Sequence, residues 1–334
     1  MKGTGMYGGS FNPLHLGHVN NIIEASCMCN KLYVVLSVSL KEDEIDYKTR
    51  FKWLKNITKD MDNVEVISVF NNSKSKEDED WEEVKESILS KINSTLDIVF
   101  CGNDYKKSKI FEKLYKGSEV YYFDRNEIDI SSTQIRNNPY EYYDYLPDIV
   151  KEYYTKKVVV VGTESCGKST LIRNLGLYYN TEYVEEIGRD VSVAKGGYEN
   201  MQPEDYEEIL FRHKVRELEA LKKARKVLLV DTEALITLYY YNLSFDDIKH
   251  KRKFNDLADA VAALNKYDLW LFLKPDVEWV QDGTRTFGEY EVREENNKIL
   301  KKMLNSHGVD YKTIKGNYHE RYKSAKNYIN ELFK

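Results

Sequence analysis

Four consecutive valines, Val158 to Val161, run without a break into Gly162-Thr163-Glu164-Ser165-Cys166-Gly167-Lys168-Ser169-Thr170. A β-branched run favours a buried strand, the two glycines permit a tight turn, and Lys168 to Leu177 carries apolar residues at helical spacing. Strand, glycine loop and helix in that order open a parallel sheet whose crossovers are helices. The same order stands at the other end of the chain. There a short strand, Lys2 to Tyr7, precedes Gly8-Gly9-Ser10-Phe11-Asn12-Pro13-Leu14-His15-Leu16-Gly17-His18 and then the apolar segment Val19 to Cys27. Two such openings in 334 residues predict two α/β domains.

The rest of the chain agrees with that reading. Strand-like runs fall at Lys31 to Ser39, Val64 to Phe70, Asp97 to Cys101 and Val120 to Phe123, then at Lys157 to Gly162, Tyr183 to Glu185, Val227 to Asp231, Leu269 to Leu273 and Asp310 to Ile314. Helical spacing marks Tyr47 to Thr58, Trp81 to Ile92, Pro203 to Ala224 and Arg293 to Ser306. Asn137 to Lys156, with Pro139, Pro147 and six tyrosines, reads as a turn-punctuated connection, so the domains are expected at 1–150 and 156–334. Asn71 to Asp80 is polar, unpatterned and expected to form a mobile surface loop.

Composition narrows the function classes. A net charge of −5 argues against the broad basic footprint of a nucleic-acid binder. No apolar stretch approaches the roughly 20 residues of a membrane span. Four cysteines are too few for a disulfide framework, and Cys27 and Cys29 have no second pair to complete a zinc site. A reduced, cytoplasmic setting without a targeting segment is expected.

Gly162 to Thr170 fits G-x-x-x-x-G-K-[ST] in the context a P-loop requires, after a strand and before a helix. Backbone N–H groups of Thr163, Glu164, Ser165, Cys166, Gly167, Lys168 and Ser169 would cradle ATP phosphates. Lys168 would neutralise them, and Ser169 with Asp231 at the end of the apolar strand would hold Mg2+. Glu185, Glu186, Arg189 and Asp190 follow the next strand at the same sheet edge and are candidates to bind the acceptor, orienting its hydroxyl or taking its proton. Trp279, Asp282, Gly283 and Arg285 read as a lid, with Arg285 reaching the transferring phosphate and Trp279 or Asp282 against the substrate.

At the first loop, Gly8, Gly9, Ser10 and Phe11 allow a phosphate to approach the backbone. His15 and His18 lie one helical turn apart on one face and can donate to one phosphate. This segment resembles the HxGH signature of nucleotidylyltransferases, whose second signature appears here as Ile130-Ser131-Ser132-Thr133-Gln134-Ile135-Arg136. The resemblance implies in-line attack on an α-phosphate, with His15 and His18 at the transferring group and Ser131, Ser132, Thr133 and Arg136 toward the leaving pyrophosphate. Two departures stand out: Asn12 where Asp is common, and Gly3 and Gly5 in a strand where aliphatics are expected.

Taken with Glu186-Ile187-Gly188-Arg189-Asp190, Asp231-Thr232-Glu233 and Glu278 to Arg285, the order of motifs resembles the NadR family, a Rossmann-like nucleotidylyltransferase followed by a P-loop kinase. The resemblance implies phosphorylation of nicotinamide riboside to NMN in the second half and adenylylation of NMN to NAD in the first, with ATP and Mg2+. Trp81 and Trp279 are candidates to stack on the cationic nicotinamide ring. Some members carry an N-terminal helix-turn-helix domain; this chain starts at the catalytic strand, so nucleic-acid binding is not expected. A different nucleoside acceptor, a non-catalytic ATP- or NAD-sensing role and a homo-oligomeric assembly all stay open.

Overall fold

The computed structural model describes residues 2–39, 45–71, 81–92, 94–124, 128–277 and 290–334. The chain divides into two compact units, Met1–Tyr153 and Tyr154–Lys334. Each is built on one sheet of five parallel strands.

The first unit runs β1 (Lys2–Gly9), α1 (Leu16–Met28), β2 (Cys29–Ser39), α2 (Tyr47–Ile57), β3 (Val64–Asn71), α3 (Trp81–Lys91), β4 (Ile98–Gly102), α4 (Ile110–Leu114), β5 (Glu119–Phe123), α5 (Ser132–Asn137) and α6 (Asp148–Tyr154), whose last residue crosses the boundary. Its strand order is β3-β2-β1-β4-β5. The chain reverses direction of travel at β1, so the loop after β1 lies in the crevice where open α/β sheets receive ligands. On one face Met6, Val35, Val69 and Val99 pack against Val84 and Ile88 of α3 and Leu114 of α4.

The glycines of β1 are explained by their neighbours. A Cβ on Gly5 would lie 2.4 Å from Cys29 Sγ and 2.9 Å from Phe100, so adjoining side chains already fill that space. Asn71 corrects the expected loop boundary: it is the last residue of β3, buried, and donates Nδ2 to Ser37 Oγ at 3.2 Å. The remainder of that stretch, 72–80, lies outside the described residues.

The second unit runs β6 (Lys156–Val161), α7 (Lys168–Tyr179), β7 (Tyr183–Val184), α8 (Ile187–Ala194), α9 (Pro203–Leu221), β8 (Val227–Asp231), α10 (Ala234–Ser244), α11 (Ile248–Leu264), β9 (Leu269–Leu273), α12 (Tyr290–Ser306), β10 (Lys312–Ile314) and α13 (Tyr318–Glu331). The order β10-β9-β6-β8-β7 puts β6 at the centre. Its valines alternate faces, as the two-residue period of a strand dictates. Val159 and Val161 join Leu228, Val230 and Phe272 under α8 to α12, while Val158 and Val160 join Leu229 and Leu271 under α7 and α13. Both faces are covered, which is why the strand reads as an unbroken apolar run.

Helix starts follow local chemistry. Asp46 and Asp247 cap α2 and α11, and Asn317 with Glu320 forms a reciprocal box at α13. α9 opens with Pro203 at its first position behind a Gln202–Asp205 box. No helix among the described residues is long and apolar enough to cross a membrane.

Candidate functional sites

In the first unit, His15 is the N-cap of α1 and His18 its third residue. The two form a reciprocal box in which His18 N donates to His15 Nδ1 and His15 N to His18 Nδ1, each at 3.4 Å. The rings stack at 3.6 Å between centroids. With Nδ1 accepting in both, Nε2 carries the proton of each neutral ring, the tautomer needed to donate to a phosphate oxygen. Gly17 suits this packing, since a Cβ there would sit 3.1 Å from His15 Nδ1, a tight contact. The Phe11 ring is fully buried against Tyr7 and His18, which leaves its backbone as the part that can face the site.

The second signature meets the first. Ser131 caps α5 in a box with Gln134, Ser132 Oγ donates to Pro13 O at 2.9 Å, and Arg136 donates Nη1 to Asn12 O and Nη2 to Thr133 Oγ1. From the other side fully buried Arg50, on α2, donates Nη1 to Ser10 O at 2.6 Å. Two arginines and a serine thus hold the carbonyls of Ser10, Asn12 and Pro13. Sequence reading passed over Arg50 because a lone Arg on an amphipathic helix carries no motif. Gly8 and Gly9 close β1 and Ser10 follows it at the same edge. Trp81 packs in T-shaped contact with Tyr105 and Phe111, half-buried against the core.

In the second unit the loop from Gly162 to Gly167 links β6 to α7. Ser165 (φ 59°) and Gly167 (φ 85°) take left-handed conformations that help form a concave run of N–H groups. Lys168 is buried and donates Nζ to Thr163 O at 3.2 Å. Burial pulls its ammonium down, but the surrounding acidic groups, Glu186, Asp231 and Glu164 among them, outweigh burial and hold it above its ordinary value. Ser169 Oγ donates to Asp231 Oδ2 at 2.6 Å. Asp231 is fully buried; burial pushes its carboxyl up to about 6 against the pull of Lys168. Its Oδ1 finds no hydrogen-bond partner among the described residues. A buried oxygen left open beside a serine hydroxyl fits a hard divalent cation. No three His, Cys, Asp or Glu side chains form a metal cage among the described residues, so nucleotide phosphates and water would complete its shell. Burial also raises the Cys166 thiol, leaving that loop position unreactive. Thr170 is exposed.

Glu186 stands just before α8, and its charge and that of Arg189 act on Asp231. Asp190 instead pairs with Arg216 at 3.2 Å on an exposed face. Trp279, Asp282, Gly283 and Arg285 lie outside the described residues. Residues that sequence reading missed line a small cavity beside the loop, where Tyr239, Tyr240, Arg293 and Asn296 face Thr163 and Glu164. Arg293 and Asn296 carried only the helical spacing of their segment, and Tyr239 and Tyr240 lie on α10, where no helical pattern was read.

Comparison with known proteins places both units. Residues 6–138 match the Cytidylyltransferase-like family and residues 157–321 an AAA domain. The Trifunctional NAD biosynthesis/regulator protein NadR of Escherichia coli K12 is 26% identical over 328 residues, covering 93% of this chain and 78% of the relative. Phosphopantetheine adenylyltransferase of Mycoplasma mycoides subsp. mycoides SC is 34% identical over 136 residues, 40% of this chain and 94% of that enzyme. A crystal structure of a NadR protein in complex with NR superposes with a TM-score of 0.84 at 23% identity, covering 100% of this chain and 96% of that one, which establishes the shared fold. Over 93% of its length the chain is similar to NadR, and a nucleotidyltransferase-type unit followed by a P-loop kinase-type unit in one chain fits a NAD biosynthesis protein of that kind.

Proposed function

We propose that the second unit phosphorylates the 5′-hydroxyl of nicotinamide riboside with ATP and that the first unit joins the resulting NMN to the AMP moiety of a second ATP, giving NAD and pyrophosphate. The observation that supports this reading is the presence in one chain of two polar clusters of different chemistry, each at the start of a helix that follows a central strand and each suited to phosphate. One is the Lys168–Ser169–Asp231 cluster, and the other is the His15–His18 box joined to the Ser131–Arg136 segment.

In the second unit, loop N–H groups and Lys168 bind the β- and γ-phosphates, and Ser169 and Asp231 hold Mg2+. When bound, Mg2+ would supply positive charge to offset the negative charge that develops on transfer. Glu186 takes the acceptor's proton, and Arg189 balances the carboxylates around it. In the first unit no protein nucleophile is needed. The NMN phosphate attacks the α-phosphorus in line, His15 and His18 donate from Nε2 to the transferring group, and Ser131, Ser132, Thr133 and Arg136 face the departing pyrophosphate.

The test is mass-resolved product analysis of the purified protein with nicotinamide riboside and MgATP. Conversion through NMN to NAD is the expected result. Absence of product with this nucleoside, together with turnover of another, would reassign the acceptor; ATP binding without any turnover would favour a sensing role.

A further inference from the structure

We propose that Arg321 is a positioning residue for phosphoryl transfer in the second unit, fixing the Cys166–Gly167 peptide so that its N–H faces the phosphate side of the loop. The proposal rests on the reading of that loop as an ATP-phosphate site.

Arg321 sits near the start of α13, 155 residues beyond Cys166, and is 1% exposed. All three nitrogens of its guanidinium donate. Nε donates to Gly316 O at 2.6 Å, Nη1 to Cys166 O, and Nη2 to Lys274 O at 2.8 Å and to Asp276 Oδ1. Asp276 Oδ2 in turn accepts Gly316 N at 2.8 Å. One cation thus joins the phosphate loop, the end of β9 and the turn before α13. Burying a guanidinium is costly, and for stability alone an apolar side chain would serve such a position as well or better. What an apolar side chain lacks is directional control of a carbonyl.

That control matters at this peptide. Cys166 lies between the left-handed Ser165 and Gly167, and Gly167 offers little steric resistance to rotation of the peptide before it. A loop that points N–H groups at a phosphate must turn carbonyls the other way, where each needs a donor. Arg321 has donors and no acceptor. It stabilises Cys166 O turned toward it and opposes a flipped peptide, which would point the Gly167 N–H at a cation. Contact is close enough for this, since a Cβ on Gly167 would lie 3.6 Å from Arg321 Nη1.

The experiment compares Arg321→Lys and Asp276→Asn with the parent in the full-length protein. Folding is followed by circular dichroism, phosphoryl transfer gives kcat and the KM for MgATP separately, and nucleotidyl transfer serves as the in-chain control. Arg321→Lys keeps the charge but cannot span four acceptors. It is expected to lower phosphoryl-transfer kcat/KM about ten- to a hundredfold, the loss of one or two charge-assisted hydrogen bonds, while nucleotidyl transfer is unchanged. Asp276→Asn, at a more exposed position, is expected to act in the same direction and more weakly. A folded Arg321→Lys protein with unaltered kcat and KM for MgATP overturns the proposal; if that variant does not fold, an unaltered Asp276→Asn protein does so. Calorimetric titration with a non-hydrolysable ATP analogue, with Lys168→Ala marking which binding event belongs to this loop, separates the two readings. A parent that binds but does not phosphorylate removes the kinase assignment, and weakened binding at that event in Arg321→Lys still supports the role of Arg321.

Discussion

Ser169 Oγ donates to Asp231 Oδ2 at 2.6 Å, while the other carboxylate oxygen stays buried and open among the described residues. The pair brings the end of β8 to the first turn of α7, and it sets one oxygen apart for a cation. Asp231→Asn preserves the shape and supplies an acceptor for Ser169 but removes the charge. Phosphoryl transfer should fall by about a hundredfold or more, the scale of losing one electrostatic group in a preorganised site, with nucleotidyl transfer intact. Steady-state assays of both half-reactions on the same preparation check this, and retention of phosphoryl transfer would remove Asp231 from the metal site.

Independence of the two chemistries is a second expectation. Lys168→Ala should abolish phosphorylation and spare adenylylation of supplied NMN, and His18→Ala should do the reverse. Loss of both activities in either folded variant would show that the sites are coupled.

Much of this was legible in the sequence because both phosphate loops combine a strand, glycines and a helix start within a few residues. The capping box at His15 and the Ser169 hydroxyl lie within those motifs, and Ser131 and Asp231 lie in the further signatures read alongside them. What escaped was set at long range. Gly5 made sense only once Cys29 and Phe100 were seen to fill its side-chain space. Arg50 and Arg321 act on loops 40 and 155 residues away, through carbonyls that no pattern of side chains reveals. α10 was missed for another reason: Leu235, Ile236, Leu238, Tyr239 and Tyr241 are all buried, so the segment is apolar nearly all round and shows no amphipathic contrast.

Arg50 supports the first loop as a buried donor. Replacing it by Met keeps much of the volume and removes the partner of the Ser10 carbonyl, which should cost about 1–3 kcal/mol of stability in the first unit. Denaturant unfolding monitored alongside adenylylation would show it, and an unchanged midpoint would mean that the carbonyl finds another donor.

Gly5→Ala tests the packing account of β1. A methyl group would meet Cys29 Sγ at 2.4 Å and Phe100 at 2.9 Å, and the strand is central, so relief by backbone shift is limited. Overpacking of this kind costs about 1–3 kcal/mol. Pairing it with Cys29→Ala should recover part of the loss, and a double variant no more stable than Gly5→Ala would argue against the contact.

The last prediction concerns pH. His213 on α9 is buried and donates Nε2 to Thr232 O at 3.2 Å, next to Asp231. Burial holds its pKa below the ordinary value, although Glu217 one turn away, the Thr232 carbonyl and Glu186 favour the charged ring. The sign follows from proton uptake. Below about pH 6.5 the unfolded chain protonates this side chain while the folded chain resists, so the unfolded state binds more protons and stability falls as pH drops, by at most about 1.4 kcal/mol per pH unit. Above that pH the two states match and the effect vanishes. His213→Gln offers an uncharged donor at a similar reach. It should therefore lose less stability than the parent between about pH 6.5 and pH 5, the interval in which an ordinary histidine becomes charged. Urea unfolding of both proteins across that range gives the difference directly, and parallel pH profiles would mean that His213 protonates in the folded state as readily as in the unfolded chain.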